Sequence, residues 1–225
     1  MFYLLFLTIF GIFTYTAFPS VAIYRDAGEM ASVCYTFGIA HPPGYPLYVL
    51  FGKIFTLIIP FGNIAYRVNL MSAFFGALSC VIVYLIVNWI GTQEQRDGRT
   101  ESKTSVSLWL CGSVAALALA FSKTFWSVSL VAEMYTINTF FIILIIYLLI
   151  TTHYLLLAIF LFGLAMGNRI DIVLIAPGVL YWLIRNKEIK IYSLTRLTVY
   201  ALLFFLGVSV YLFLPIRSKT QPHLN

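Results

Sequence analysis

The chain has 225 residues, of which 61% are hydrophobic and 10% charged, and its mean hydropathy is +0.95. Soluble domains carry about 25% charged residues, so this composition excludes an ordinary soluble enzyme and points to an integral membrane protein. The net charge of +6 comes from basic residues scattered between apolar runs, not gathered in a patch, which argues against a nucleic-acid binder.

Apolar runs at about 1–19, 67–90, 106–122, 133–152, 154–168, 172–184 and 198–216 predict an all-α module of about seven transmembrane helices, one unit over residues 1–225. The first run has no basic start and exceeds a signal-peptide core, so it is read as an uncleaved span. Residues 20–66 then form one long outer loop. Within it, Pro46–Ile59 is apolar but short, contains Lys53 and is bounded by Pro46 and Pro60-Phe61-Gly62. It is predicted to be an interfacial helix, not a span. The stretch His41-Pro42-Pro43-Gly44-Tyr45-Pro46 is the predicted joint between two short helices, because Pro breaks a helix interior but suits a first turn.

Small residues at four-residue steps, Ser72, Gly76, Cys80 and Gly112, Ala116, Ala120, predict close packing of the second and third spans. The connectors Thr92–Ser105, with Arg96, Arg99 and Lys103, and Arg185–Arg196, with Lys187 and Lys190, concentrate positive charge. Both fall on the cytoplasmic side when the N-terminus is inside. Cys34, Cys80 and Cys111 lack metal-ligand spacing and are read as packing residues.

Of the ionisable residues outside those connectors, all but His153 then lie at or near the outer ends of spans, from Arg25, Asp26 and Glu29 to Arg217 and His223. Charge at membrane depth is costly and tends to mark function. Asp26 and Glu29, three residues apart, share a helix face, although Asp-Ala-Gly-Glu is equally a capping-box pattern. Asn168-Arg169-Ile170-Asp171 interrupts an apolar stretch. It either lines a protein-walled cavity or forms an internal Arg169–Asp171 pair that fixes the turn. Trp126, Glu133 and Tyr135 are open to a reading as an aromatic belt plus one cavity carboxylate, and Arg217 to one as a snorkelling flank.

Asp26-Ala27-Gly28-Glu29, the block Gly38–Tyr48 around His41-Pro42-Pro43-Gly44-Tyr45-Pro46, and Tyr66-Arg67-Val68-Asn69-Leu70 resemble the family called domain of unknown function 2723. That family includes the transmembrane protein O-mannosyltransferase of the animal endoplasmic reticulum and many bacterial members. Thr124-Phe125-Trp126, Ala132-Glu133-Met134-Tyr135, Gly163–Asn168 and Leu214-Pro215-Ile216-Arg217 extend the resemblance over nearly the whole chain. It implies a GT-C-like membrane glycosyltransferase of the bacterial inner membrane or the endoplasmic reticulum. Such an enzyme moves mannose or another hexose from a polyprenyl-phosphate donor to a hydroxyl acceptor, here protein Ser/Thr, on the outer or lumenal face with inversion. Arg25 stands where relatives have a small residue, Ala27 where Ser is common, and Arg169 where His is frequent. Relatives continue beyond Gln221–Asn225, so the chain is expected to be the N-terminal part of a longer architecture.

On this resemblance Asp26 is the expected base and Glu29 the second catalytic carboxylate, with Glu133 an alternative base. His41, Tyr45, Arg67, Glu133, Asn168, Arg169 and Arg217 are expected to bind substrate, the guanidiniums of Arg169 and Arg217 facing the leaving phosphate. No metal or cofactor is expected. The rival readings are transfer to a lipid or polysaccharide, a non-enzymatic transporter or flippase using the same cavity, and a fragment that folds without catalysing. Interface-level charges and the lack of internal repeats argue against the transporter.

Overall fold

A computed structural model of the chain describes residues 2–23, 25–98, 105–152, 154–185 and 194–220. Of the sequence readings, those on Arg99, Lys103, His153, Lys187, Lys190 and the 221–225 tail with His223 lie outside these residues. The regular structure of the described residues is entirely helical. In chain order the helices are α1 (Phe2–Thr16), α2 (Ala27–Thr36), α3 (Pro46–Ile58), α4 (Ile64–Arg96), α5 (Ser105–Ala120), α6 (Lys123–Ser129), α7 (Tyr135–Tyr147), α8 (Leu155–Met166), α9 (Ala176–Arg185), α10 (Leu194–Val208) and α11 (Phe213–Ser218). A π-turn at Leu148–Thr152 extends α7, and 3-10 turns at Ile170–Ile175 and Ser209–Leu212 precede α9 and α11.

Helix α4 is the axis of the fold. Its 33 residues rise about 50 Å at 1.5 Å each, and α1, α2, α3, α5, α6 and α7 all pack on it. Its buried positions include Val68, Met71, Ser72, Phe75, Gly76 and Cys80, so close to the outer loop it is apolar nearly all round, as a core helix must be. The small residues do what their spacing predicts. A methyl on Gly76 would lie 2.7 Å from Ser129 Oγ on α6, and one on Gly112 would lie 2.1 Å from Asn88 on α4.

Two helices, Ile64–Arg96 and Thr195–Ser218, are each long and apolar enough to cross a membrane. A third candidate is the pair Val106–Ala120 and Lys123–Ser129, bent by 68°. The other apolar helices have 10–17 residues and fall short of the roughly 20 that a straight span requires. Both short helices expected in the outer loop are present as α2 and α3, hinged over His41–Pro46.

Three points differ from the sequence reading. Helix α4 continues through Gln93-Glu94-Gln95-Arg96, because these are strong helix formers with nothing to stop them before Gly98. The connection after residue 122 contains α6, which turns back where Trp126 packs edge-on to Phe13 at 5.6 Å and beside Phe121 at 5.2 Å. Cys111 is exposed, so only Cys34 and Cys80 are buried packing residues.

Helices α8 and α10 approach each other closely. A Cβ on Gly163 would lie 2.3 Å from the Phe204 carbonyl, and one on Gly207 would lie 2.3 Å from the Phe160 carbonyl. Each glycine thus admits the other helix's backbone. Gly163→Ala is expected to force the helices apart and to cost about 1–3 kcal/mol, measured as a lower thermal midpoint in detergent. Gly178→Ala, where an added methyl meets nothing within 4 Å, should not lower it.

Candidate functional site

The strand of chain leaving α1 is pinned by asparagines of α4. Buried Asn69 donates to the carbonyls of Phe18 at 2.9 Å and Ser20 at 3.1 Å. Asn63 donates to Pro19 O at 2.7 Å, and its own carbonyl accepts the Tyr66 N–H at 2.9 Å, capping α4. Arg25 then takes a left-handed backbone with φ 43°, a costly conformation for a residue with a side chain, and turns the chain into α2.

At the head of α2 the capping-box alternative is not realised. The Asp26 side chain makes no capping bond, and Glu29 turns outward to His41 instead of back to the N-cap. One Glu29 oxygen accepts the His41 backbone N–H at 2.7 Å, and the other pairs with His41 Nδ1 at 2.8 Å. A carboxylate offers only acceptors, so Nδ1 carries the proton and the lone pair is left on Nε2. Nε2 lies 3.3 Å from the Tyr45 hydroxyl and 4.0 Å from Asp26 Oδ2. Tyr45 is left-handed too, with φ 44°, and its ring meets the imidazole edge-on at 5.1 Å. A cleft of about 550 Å³ lined by Gly28, Glu29, Ser32, Val33, His41 and Pro42 opens beside the pair.

Ligand atoms of Asp26, Glu29 and His41 lie within 4.8 Å of one another, the spacing of a metal-holding group. Within this group Glu29 accepts from the His41 N–H and pairs with His41 Nδ1, one bond to each of its oxygens.

The second side of the site comes from the break between α8 and α9. Leu47 N–H at the start of α3 donates to the Gly167 carbonyl at 2.9 Å, which brings Asn168 and Arg169 up to the outer loop. Asn168 is fully buried and donates to Met134 O at 3.1 Å. Arg169 pairs with Asp171 at 2.8 Å, and its guanidinium stands 4.7 Å from the Tyr135 ring centre. Arg25 approaches the same ring at 5.3 Å and donates to the Tyr135 hydroxyl. Of the two readings of the Asn168–Asp171 turn, the internal Arg169–Asp171 pair is present, in a turn that lies against the outer loop. Burial opposes the Arg169 charge, but Asp171 and Tyr135 outweigh it and hold its pKa above the ordinary value. Burial raises the Tyr45 phenol, partly offset by Arg169, so Tyr45 stays a hydroxyl donor at neutral pH.

Glu133 sits under this cluster, in the non-helical turn ahead of α7 and at 0% exposure. One of its oxygens accepts the Asp26 backbone N–H at 3.3 Å, and the other has no donor among the described residues. Burial raises its carboxyl above the usual range, and the bond from Asp26 only partly opposes this.

Two expected site residues lie elsewhere. Arg67 donates to the carbonyls of Thr56 at 2.9 Å and Gly62 at 3.2 Å, joining the end of α3 to α4. Arg217 donates to Phe37 O at 2.6 Å and Thr36 O at 3.1 Å, and stacks on Phe37 at 5.6 Å. Those carbonyls end α2, a ten-residue helix about 15 Å long, opposite the Asp26 end. Both guanidiniums serve helix C-termini, whose last carbonyls need donors. Conversely, Tyr135 is no mere belt residue, because two arginines converge on its ring. Its spacing of two from Glu133 is the only sequence sign of this.

Comparison with known proteins gives the same outline. The family model described as protein O-mannosyl-transferase TMEM260 N-terminal domain matches residues 26–193. The chain belongs to this family. The protein O-mannosyl-transferase TMEM260 of Mus musculus is 30% identical over 227 residues, covering 95% of this chain and 30% of the relative. That of Dictyostelium discoideum is 28% identical over 242 residues, covering 96% of this chain and 27% of the relative. The chain thus spans about 30% of the length of the curated relatives it matches. No solved structure matches. The family match begins at Asp26 and includes Glu29, His41, Tyr45, Glu133 and Arg169, whereas Arg217 lies beyond it.

Glu133 supplies a pH test. Its folded-state pKa is raised, so the stability it contributes is complete below the unfolded value of about 4.5 and is lost as pH rises through the folded value. Glu133→Gln, which keeps an oxygen for the Asp26 N–H, should match the unaltered protein near pH 4. It should become progressively the more stable of the two as pH increases. Thermal midpoints measured across that range check the sign.

Proposed function

We propose that the chain is the membrane-embedded catalytic part of a glycosyltransferase. It moves a hexose, foremost mannose, from a polyprenyl-phosphate donor to a Ser or Thr hydroxyl of a protein. The names of the two relatives, both protein O-mannosyl-transferases, support the sugar and the acceptor class. In this reading the seven apolar runs are seven crossings of a GT-C-like module, the short helices crossing through their bends and turns. The site faces the outer or lumenal side, which agrees with the basic connector after α4 lying inside.

The observation that carries the reading is the surroundings of Asp26. Its carboxylate is 48% exposed and stands 4.0 Å from a clamped imidazole, and the guanidiniums of Arg25, its neighbour in sequence, and of Arg169 both gather on Tyr135. Asp26 takes the proton of the acceptor hydroxyl as that oxygen attacks the anomeric carbon. The carbon–oxygen bond to the phosphate breaks, its electron pair leaves with the polyprenyl phosphate, and configuration inverts. Arg169, with Arg25 beside it, stabilises the charge growing on the phosphate. Arg217 supports the far end of α2, and Glu133 holds the Asp26 peptide from below.

Asp26→Asn keeps the shape and removes the base. Transfer from polyprenyl-phosphate mannose to a Ser/Thr peptide, followed by mass spectrometry, should fall at least about 10²-fold with the thermal midpoint unchanged. Near-normal turnover by the variant would sink the assignment, and sugar found on lipid would reassign the acceptor.

A further inference from the structure

We propose that His41 is the final proton acceptor of this reaction, taking on Nε2 the proton that Asp26 has removed from the acceptor hydroxyl, while Glu29 positions the ring. The inference rests on the transfer reading above and adds a step to it. Glu29 spends both oxygens on one residue, at 2.7 Å to the backbone N–H and 2.8 Å to Nδ1. A ring held at its own backbone and at one nitrogen can neither swing away nor exchange tautomers without breaking a charge-assisted bond. Its Nε2 lone pair is therefore fixed: it lies 3.3 Å from the Tyr45 hydroxyl, whose O–H rotates away when Nε2 takes a proton, and 4.0 Å from Asp26 Oδ2.

An imidazole lone pair and a carboxylate oxygen are both acceptors, so nothing draws them together while Asp26 is ionised. Once Asp26 carries the acceptor's proton it becomes a donor. Closing from 4.0 Å to about 2.7 Å is then favourable. The O–H bond of Asp26 breaks, the N–H bond at Nε2 forms, and the imidazolium is paired through Nδ1–H with the Glu29 carboxylate. Asp26 is again a carboxylate, ready for the next acceptor. His41 is 37% exposed, so the proton passes on to water. The groups that face the imidazole are Glu29 and Asp26 from the head of α2 and Tyr45 from its own loop, with Arg169 and Tyr135 behind Tyr45. The arrangement has the logic of a carboxylate–histidine pair in which the carboxylate fixes the tautomer and the second nitrogen handles the proton.

The test uses the full chain in liposomes with polyprenyl-phosphate mannose and a Ser/Thr peptide. His41→Ala is expected to lower kcat about 10²-fold with KM for both substrates unchanged. It should also remove the acid limb of the pH–rate profile and recover activity when imidazole is added. In ¹⁵N spectra of histidine-labelled protein, the signal missing from His41→Ala should show the Nδ1–H tautomer, and Glu29→Gln should disturb it. A His41→Ala variant with unaltered kcat and pH profile, or one changed only in KM, overturns the relay while leaving the transfer reading intact. An Nε2–H tautomer in the unaltered protein overturns it independently of activity. If the unaltered protein transfers no sugar, the transfer reading and the relay fall together.

Discussion

Two hydrogen bonds from one carboxylate decide the shape of the outer loop. By accepting both the backbone N–H and the ring Nδ1–H of His41, Glu29 ties the first turn of α2 to the proline-rich joint before α3. Charge-assisted bonds of this kind are about twice as strong as neutral ones, and a carboxylate in a helix's first turn is favoured by the helix dipole. The opposite end of α2 is treated in the complementary way. Lys53 donates to Tyr35 O at 2.6 Å, and Arg217 covers the next two carbonyls. A ten-residue helix is marginal alone. Here it is held by an anion at its head and cations at its tail.

Around that helix the charges are graded by depth. Asp26 and Arg25 are exposed, His41 and Arg169 are half-buried, and Glu133 is sealed beneath. Burial raises the Glu133 carboxyl above its usual range and the Asp26 charge adds to this, while the bond from the Asp26 N–H and the charges of Arg25 and Arg169 oppose it.

Much of this was legible in the sequence, and the exceptions share a cause. The hinge at His41–Pro46 and the helices on either side followed from where proline can and cannot stand. The convergence of Asp26, Glu29 and His41 was readable from residue type and spacing. Arg67 and Arg217 were misplaced because a guanidinium near an outer boundary looks alike in sequence whether it awaits a phosphate or satisfies a helix end. Only three-dimensional placement shows which carbonyls are left over. The bend into α6 was hidden for a similar reason, since Phe121 and Trp126 are as apolar folded back on the bundle as they would be within a span. Tyr135 was read only as a belt residue because its part depends on two arginines 110 and 34 positions away.

The bond from Leu47 N–H to the Gly167 carbonyl has a different kind of consequence. Pro46 has no N–H, so Leu47 holds the first main-chain donor at the start of α3, and Gly167 holds a carbonyl left over at the end of α8. The joint is made of peptide atoms alone. The bond itself therefore does not depend on the side chain at position 47, whereas position 167 must keep its glycine, because Val210 already stands 2.4 Å from where a Cβ would lie. The residues flanking the seam could thus change while the seam itself is inherited.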